Sequence, residues 1–199
     1  DDLPRVSCLM VTRNRSELAK FAVFCFRRQT YPNRELVIMD DGQDDTLEAW
    51  VTELADDQIV YVRLPDEGQS LGQLRNIAVA RASGDYVAQW DDDDLSDPIR
   101  LETQMAALST LNTDACLLER EQLWWPRSQR LAYSTRRLWE GSFVAVKAKL
   151  PPYPDQRRGE DSPVIEQITG RQRVAVLDYP GLYTYVFHEG NTFANEHWE

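Results

Sequence analysis

Four consecutive aspartates at residues 91–94 follow directly on an apolar run at residues 86–90, and this junction constrains the fold more than any other feature. The apolar run predicts a buried strand, which places the carboxylates at its carboxyl end rather than on a solvated face. Adjacent like charges repel unless a cation offsets them, and hard oxygen ligands suit Mg²⁺ or Mn²⁺. The pattern favours a divalent-metal site, with a loop or capping role as the alternative. An EF-hand is disfavoured because the sixth loop position is not glycine.

Composition narrows the class of protein. The 199 residues are enough for one domain and barely enough for two. A net charge of −11 argues against a nucleic-acid partner, because phosphate backbones recruit basic surfaces. No apolar run approaches the roughly 20 residues of a transmembrane helix. The chain begins without Met or a signal-like segment, so we interpret it as a trimmed domain of a larger chain.

Cysteine usage indicates the compartment. Cys8, Cys25 and Cys116 are odd in number, far apart and form no C-x-x-C pair, which is typical of buried, reduced thiols rather than of disulfides or structural zinc. We therefore expect a cytoplasmic protein, either free or peripheral at the inner face of a membrane.

Short β-rich runs alternate with helical stretches in the first half of the chain. Strands are predicted at residues 6–11, 35–39, 59–62 and 86–90, and helices after an N-cap at Ser16, at Thr46–Leu54 and at residues 70–81. This alternation predicts an α/β fold with a doubly wound, mostly parallel sheet. The second half predicts a smaller mixed β part, with helices at about residues 97–111 and from Ser162, and strands at residues 115–118, 131–135, 142–146, 174–177 and 182–187.

Polar clusters end three of the predicted strands, at residues 12–14, 40–42 and 91–94. Ligands of open parallel sheets bind outside the carboxyl ends of the strands. The three clusters are therefore expected on one edge of the sheet, where they would form a single site.

Asp41 and Arg75 each have a functional and an ordinary interpretation. Asp41 is either a turn or cap residue before the Thr46 helix or a carboxylate that accepts the N3–H of uracil, and its spacing leaves the two open. Arg75 lies within a predicted helix, where arginine is usually a surface residue.

Asp161, His188 and His197 have the same ambiguity. Asp161 lies at a helix start, where it or Ser162 could be an ordinary cap and Pro163 suits the first turn. The two histidines are the only ones in the chain, and a lone histidine is more often structural than a ligand. His188 ends a predicted strand beside Glu189, so metal ligation at the edge of the site is the alternative there.

The ordered set of these elements resembles the family 2 glycosyltransferases with the GT-A fold. The matching segments are residues 6–15, 36–42, 71–76, 86–98 and 159–161, which cover nearly the whole chain in the family's order. Each segment alone is weak evidence, whereas the ordered set is specific. Residues 11–14 read Val-Thr-Arg-Asn where the family usually has Pro-Thr-Tyr-Asn, so a tyrosine that can stack on the base is lost.

The resemblance implies a role for individual residues. The residues that it implies in nucleotide binding are Thr12, Asn14, Asp41, Arg75, Asp91 and Asp92. The D-x-D pair is Asp91 with Asp93 or Asp92 with Asp93; Asp93 is the expected direct metal ligand, and His188 a further contact. Asp161 is the expected catalytic base, and the acceptor is assigned to Trp139, Gly141 and Glu160.

These assignments predict an inverting glycosyltransferase that moves a sugar from a nucleotide-sugar, expected to be a UDP-sugar, to an acceptor hydroxyl on a carbohydrate or another molecule, with Mn²⁺ or Mg²⁺ as cofactor. We expect a single domain over residues 1–199, with a nucleotide-binding half at about 1–98 and an acceptor-binding half at about 99–199. The alternatives are a nucleotidyltransferase that makes the sugar nucleotide, for which residues 12–15 are a poor glycine-rich loop, and a noncatalytic sugar- or metal-binding module.

Overall fold

The computed structural model describes residues 3–191. The strands in that part of the chain are β1 (Val6–Thr12), β2 (Arg34–Asp40), β3 (Ile59–Arg63), β4 (Tyr86–Gln89), β5 (Leu95–Ser96), β6 (Ala115–Leu118), β7 (Gln122–Trp125), β8 (Arg130–Tyr133), β9 (Val144–Val146), β10 (Val174–Leu177) and β11 (Tyr183–Val186). The α-helices are α1 (Ser16–Arg27), α2 (Thr46–Leu54), α3 (Leu71–Arg81), α4 (Arg100–Leu111) and α5 (Ser162–Arg171). His197 lies outside the described residues.

The main sheet has the strand order β10-β6-β9-β4-β1-β2-β3. Its pairs β1–β2, β1–β4, β2–β3 and β6–β10 are parallel, and β9 inserts antiparallel between β4 and β6. Helices α1, α2 and α4 cover one face, and α3 and α5 cover the other. The predicted α/β fold with a doubly wound, mostly parallel sheet is therefore confirmed.

The sequence of β1 explains why the strand lies at the centre of the sheet. Its side chains alternate between the two faces, so Val6, Cys8 and Met10 join the core under α1, whereas Leu9 packs in the core under α3. A strand that is buried on both faces has to be largely apolar at consecutive positions, and residues 8–11 satisfy this requirement. The buried Ser7 is the polar exception, and its hydroxyl donates to Glu35.

The smaller sheet has the order β5-β11-β7-β8 and is mixed, because β11 runs antiparallel to β5 and parallel to β7. Trp125 and Phe187 stack across it with their ring centroids 4.2 Å apart. This sheet confirms the predicted mixed β part of the second half. It follows the aspartate loop directly, since β5 begins one residue after Asp94.

Five of the sequence-based assignments need correction. β5 and β7 were not predicted, and the fourth helix begins at Arg100 rather than near residue 97, because Asp97 uses its carboxylate to accept a hydrogen bond from the Ile99 N–H. Ser142, the predicted start of the strand at 142–146, belongs to a 3₁₀ turn (Glu140–Ser142), and the strand begins at Val144. Ser16 does not cap α1 but lies within it, where its hydroxyl donates to Asp44.

Within residues 3–191, no helix is both long and apolar enough to cross a bilayer. Cys8, Cys25 and Cys116 are free thiols; Cys8 and Cys116 are buried, as predicted, whereas Cys25 is half-buried.

Gly72 and Gly170 both lie in helices but in different surroundings. A Cβ on Gly72 would lie 1.8 Å from the carbonyl oxygen of Pro154, whereas a Cβ on Gly170 would meet no atom within 4 Å. We expect Gly72→Ala to lower the free energy of unfolding by about 1–3 kcal/mol through overpacking, although alanine's helix propensity alone favours the change. Gly170→Ala is the matched control and should raise it by up to about 1 kcal/mol. Urea unfolding measures both, and shifts of the same sign would contradict the close contact between α3 and Pro154.

Candidate active site

The carboxyl ends of β1, β2 and β4 open into one cavity of about 470 Å³. The three polar clusters converge there, and the start of α5 adds residues 157–161. Among the lining side chains are Thr12, Arg13, Arg15, Asp41, Arg75, the aspartates at 91–94, Glu160, Asp161 and Tyr185. The fold therefore brings together residues as distant in the sequence as Thr12 and Tyr185, and most of them follow strand ends, as the strand-end rule predicts.

Two of the four aspartates serve to hold their own loop. Asp92 is buried and accepts a hydrogen bond from the Thr12 hydroxyl at 2.7 Å and one from Arg15 at 3.3 Å. Burial and the neighbouring Asp93 raise the pKa of Asp92 to about 7. Asp92 and Thr12 therefore line the cavity, but with polar groups that already bind each other.

Asp94 is buried as well, and accepts from the backbone N–H of Val186 at 2.9 Å. Its other oxygen lies 2.6 Å from the hydroxyl of Tyr183, which also lies 3.0 Å from Asp91. Burial raises the pKa of Asp94 well above its usual range. Because a tyrosine hydroxyl has one proton, a protonated Asp94 completes this pair of hydrogen bonds.

Asp91 and Asp93 are the more accessible members of the cluster, with side chains 24% and 14% exposed. Asp91 accepts from Arg75 and Gln89, and Asp93 accepts from Arg15 at 2.9 Å. This difference in exposure favours Asp91 with Asp93 over Asp92 with Asp93 as the D-x-D pair.

His188 lies beside Asp93, with its Nε2 atom 3.0 Å from the carboxylate oxygen. Its Nδ1 atom accepts a hydrogen bond from the Gly190 N–H at 3.1 Å, so the ring proton of a neutral His188 is on Nε2 and points at Asp93. In this arrangement the imidazole supports the carboxylate. Direct ligation of a cation through Nε2 would require the Gly190 contact to open.

The donor set suits Mn²⁺ or Mg²⁺ only in part. Among residues 3–191, no group of three or more histidine, cysteine or acidic side chains is arranged to hold a metal ion. Asp93 and Asp91, which lie two positions apart in the sequence, can together supply one or two carboxylate ligands. Mg²⁺ sites that use substrate phosphates have this composition, in which phosphate oxygens and waters fill the remaining positions.

Tertiary contacts separate the roles of Asp40 and Asp41, which the sequence left open. Asp40 accepts hydrogen bonds from the Gly42 N–H and the Tyr61 hydroxyl, so it forms the turn. Asp41 lines the cavity with its side chain 3% exposed, and its Oδ2 atom accepts from Arg13 at 2.9 Å. Its Oδ1 atom is buried and has no hydrogen-bond partner in the described structure, so one acceptor of this carboxylate is unsatisfied.

Arg75 is a buried residue of α3 rather than a surface one. Its guanidinium donates to Glu160 at 2.6 Å and to Asp91 at 3.2 Å, and so ties α3 to the start of α5 and to the end of β4. Glu160 is consequently engaged in an ion pair on the cavity wall.

Asp161 stands apart from these ion pairs. It precedes α5 but makes no side-chain cap hydrogen bond, and the Ser162 hydroxyl donates to Glu140 instead, so neither residue has the ordinary capping role. Burial raises the pKa of Asp161 to about 6, against the lowering effect of the Arg75 charge. A carboxyl group with this pKa, in a cavity wall, suits proton transfer near neutral pH.

Besides His188, three predicted site residues lie outside the cavity lining. Asn14 accepts from the backbone N–H groups of Gln43 and Asp44, and so joins two loops. Trp139 is buried, and the guanidinium carbon of Arg137 lies 3.8 Å from the centroid of the Trp139 ring. Gly141 packs against the Tyr183 hydroxyl, which an added Cβ would approach to 2.7 Å. Their positions support the site from behind, and nothing in the structure brings them to an acceptor.

The sequence model of Glycosyl transferase family 2 matches residues 7–140. The chain belongs to this family. It is 33% identical over 153 residues to WcaA of Escherichia coli K12, which is named as a colanic acid biosynthesis glycosyl transferase; the match covers 76% of this chain and 49% of that protein. It is 30% identical over 131 residues to the GalNAc(5)-diNAcBac-PP-undecaprenol beta-1,3-glucosyltransferase of Campylobacter jejuni, covering 60% and 40%. This family 2 chain thus spans half or less of the length of these relatives.

Solved structures support the same fold. TarS residues 1–349 of S. aureus, in complex with UDP-GlcNAc, superimposes with a TM-score of 0.79 at 18% identity, covering 94% of this chain and 60% of that one. The mannosyltransferase PcManGT of Pyrobaculum calidifontis, in complex with GDP-Man and Mn²⁺, superimposes with a TM-score of 0.73 at 18% identity, covering 95% and 59%. The predicted GT-A fold of this family 2 domain is confirmed.

Several cavity residues of this family 2 domain were not predicted from the sequence. Arg13 and Arg15 each contact two carboxylates, and Tyr183 joins Asp91 to Asp94. Arg157 reaches the cavity from the segment before α5. The available signal for Arg13 and Arg15 was their place within and directly after the polar cluster at residues 12–14. Tyr183 had no such signal, because its contact spans 89 residues or more.

The raised pKa of Asp161 makes a prediction about stability. The pKa is 3.8 in the unfolded chain and about 6 in the folded protein, so the folded state binds this proton more tightly. Raising the pH from about 4 through 6 therefore destabilises the wild type relative to Asp161→Asn, which has no such proton. We expect the variant's advantage in free energy of unfolding to be small near pH 4 and to reach about 1–3 kcal/mol at pH 7. Urea unfolding of both proteins across this range measures it, and a difference that does not change with pH would contradict the shift.

Proposed function

We propose that this domain transfers a sugar from a UDP-sugar to an acceptor hydroxyl, with inversion at the anomeric carbon and with a divalent cation as cofactor. The observation that carries the proposal is a cavity that contains both the aspartate cluster and Asp161, a half-buried carboxyl with a pKa of about 6. Family membership supports sugar transfer and argues against the nucleotidyltransferase alternative. The free thiols fit the cytoplasmic compartment that we propose for it.

The proposed division of the domain follows the cavity lining. Residues from β1, β2, α3 and the aspartate loop would hold the nucleotide, and residues 157–161 would face the acceptor. The two proposed halves, about 1–98 and 99–199, then meet at Arg75 and Glu160, whose ion pair crosses between them.

Asp41 supports uracil as the base. A buried acceptor that lacks a hydrogen bond costs about 1–3 kcal/mol, and a ligand N–H that reaches it removes that cost. Uracil has an N–H at its N3 position, whereas cytosine has a lone pair there and would be repelled by the carboxylate. The UDP-GlcNAc complex of the TarS structure, which has the same fold, is compatible with this choice.

Asp93 would hold the cation, with Asp91 as a second carboxylate and His188 as a contact that needs the Gly190 turn to open. When bound, the cation would neutralise negative charge on the leaving diphosphate. The chain's own contribution is to fix the loop that presents these carboxylates, through the buried Asp92 and Asp94.

Asp161 would act as the general base. It would take the proton of the acceptor hydroxyl while that oxygen bonds to the anomeric carbon from the face opposite the leaving group. The bond between the anomeric carbon and the phosphate oxygen breaks, the nucleoside diphosphate leaves, and the proton stays on the Asp161 carboxylate. Glu160 is less suited to this role because its carboxylate already pairs with Arg75 at 2.6 Å.

The donor assignment predicts a pattern of thermal shifts. UDP with Mn²⁺ at about 100 times its dissociation constant should stabilise the domain by about 2.7 kcal/mol, or about 5–10 °C in Tm. The shift should exceed those of UDP alone, ADP with Mn²⁺ and CDP with Mn²⁺. Asp93→Ala should abolish the metal-dependent part without lowering the Tm of the ligand-free protein, and His188→Ala should weaken it less. Equal shifts for all nucleotides would contradict the uracil assignment, and an unfolded Asp93→Ala variant would make the cluster structural.

The base assignment predicts a loss of turnover without a loss of donor binding. Asp161→Asn keeps the size of the side chain but cannot accept a proton near neutral pH, so Mn²⁺-dependent hydrolysis of UDP-sugars should fall by at least about a hundredfold. Affinity for UDP and Mn²⁺, measured by calorimetry, should change little. Glu160→Gln is the neighbouring control. A loss confined to Glu160→Gln would move the base by one residue, and near-normal hydrolysis by both variants would remove this segment from the chemistry.

A further inference from the structure

Arg13 lies in the cavity at the position where the family usually has tyrosine. It binds Asp41, the carboxylate that we propose to contact the nucleobase of the donor. Its Nη1 atom donates to Oδ2 of Asp41 at 2.9 Å, and its Nη2 atom donates to Asp66 at 2.7 Å. The side chain is 48% exposed and lines the cavity, while Asp41 beneath it is 3% exposed. The carboxylates of Asp41 and Asp66 thus each bind one nitrogen of the Arg13 guanidinium and hold it over the cavity side of Asp41.

The contact makes the two oxygens of Asp41 unequal, because one already accepts a hydrogen bond and the other accepts none. Oδ2 accepts from Arg13, whereas Oδ1 is buried and has no hydrogen-bond partner in the described structure. A carboxylate with both oxygens available can accept two parallel N–H groups, as it does from arginine. In this structure Oδ1 of Asp41 accepts no hydrogen bond, whereas Oδ2 already accepts from Arg13 and keeps at most one lone pair, beside that guanidinium.

The nucleobases differ in the donors that they offer. Uracil has a single N–H, at N3, between two carbonyl groups. Guanine has two donors side by side, its N1–H and its 2-amino group, which match both oxygens of a carboxylate. Cytosine and adenine have a lone pair at the corresponding ring nitrogen. A carboxylate alone therefore favours guanine or uracil over the other two bases, and it does not choose between guanine and uracil.

We propose that Arg13 makes this choice, as a specificity-determining residue that keeps Oδ2 of Asp41 occupied so that the site accepts uracil and disfavours guanine. The inference rests on the proposed function, in which Asp41 receives the base of the donor. Guanine would then leave its 2-amino group without the second carboxylate oxygen, and close to the Arg13 guanidinium, which is itself a donor. An unmade hydrogen bond in a partly desolvated site is the kind of mismatch that discriminates strongly between ligands.

Asp66 has a supporting role in this arrangement. Its carboxylate is 32% exposed and binds the outer nitrogen of Arg13, so it holds the guanidinium in place from the solvent side. A tyrosine at residue 13 would have no charge to hold Asp66 and only one hydroxyl to donate. The substitution of the family's usual residue by arginine thus adds a function in this chain, beyond the loss of a stacking surface.

Calorimetric titration of UDP and GDP, each with the same Mn²⁺ concentration, tests the inference. We expect the wild type to prefer UDP. Arg13→Met removes the donor to Oδ2 while keeping an unbranched side chain, and should improve GDP binding relative to UDP by about tenfold, which corresponds to about 1.4 kcal/mol. Arg13→Lys keeps a cationic donor and should retain most of the wild-type preference. Arg127→Met is the matched control, because Arg127 is 83% exposed and pairs with Glu189 away from the cavity lining.

The outcomes separate this inference from the proposed function. A wild type that does not prefer UDP would overturn the uracil assignment itself. A wild type that prefers UDP, together with an Arg13→Met variant that keeps the same UDP-to-GDP ratio, would overturn the role of Arg13 alone. If Arg13→Met raises the affinity for UDP and for GDP by the same factor, the role of Arg13 is also overturned, since Arg13 would then only block access to Asp41. If Arg13→Met fails to fold, Asp66→Asn provides the second measurement and should shift the ratio toward GDP by a smaller factor; an unchanged ratio there would count against the inference.

Discussion

The buried guanidinium of Arg100 is the interaction on which the rest of the site depends. It is fully buried at the start of α4 and lies over the rings of Trp90 and Tyr183, 5.2 and 4.9 Å from their centroids. Its donors are used by Ser96, Gln104 and the carbonyl oxygens of Gln89 and Gly141. Taking a charge out of water costs several kcal/mol, and here hydrogen bonds and the negative field of the aspartate loop offset that cost. Arg100 thereby joins β4, β5, α4 and the ring of a β11 tyrosine, so the two sheets meet at the loop that carries the carboxylates.

The four carboxylates of the aspartate loop have two different roles. The two buried carboxylates, Asp92 and Asp94, accept from Thr12 in β1 and from the backbone of Val186 in β11. These contacts fix the loop between the sheets, which sets the directions of Asp91 and Asp93. A ligand site whose side chains are already positioned loses less conformational entropy on binding. The repulsion expected of four adjacent carboxylates is reduced because burial raises the pKa of the two that face inward.

The sequence predicted the main sheet well because its strands are continuous apolar runs that end in polar clusters, and this pattern is local. It missed β5 and β7, since a two-residue strand and the run at Gln122–Trp125 have no clear period, and they form strands only by pairing with β11 and β8. The location of the cavity was predictable, whereas its contacts were not. The hydroxyl of Tyr61, 21 residues away, decides that Asp40 forms the turn. The absence of a cap hydrogen bond at Asp161, which leaves its carboxylate to the cavity wall, is likewise a matter of three-dimensional placement.

Three of the arginines that line the cavity are already paired with carboxylates, which bears on how the proposed diphosphate would be bound. Arg13, Arg15 and Arg75 line the cavity, and each contacts two carboxylates: Asp41 and Asp66, Asp92 and Asp93, and Asp91 and Glu160. Their charges are therefore largely compensated before any ligand arrives. A diphosphate that recruited these arginines would have to break ion pairs and leave partly buried carboxylates unpaired, which is expensive. In the proposed function, a divalent cation at Asp93 would add positive charge without that loss. It would compete there with Arg15 for the same carboxylate, so the Arg15 guanidinium would become available to phosphate oxygens.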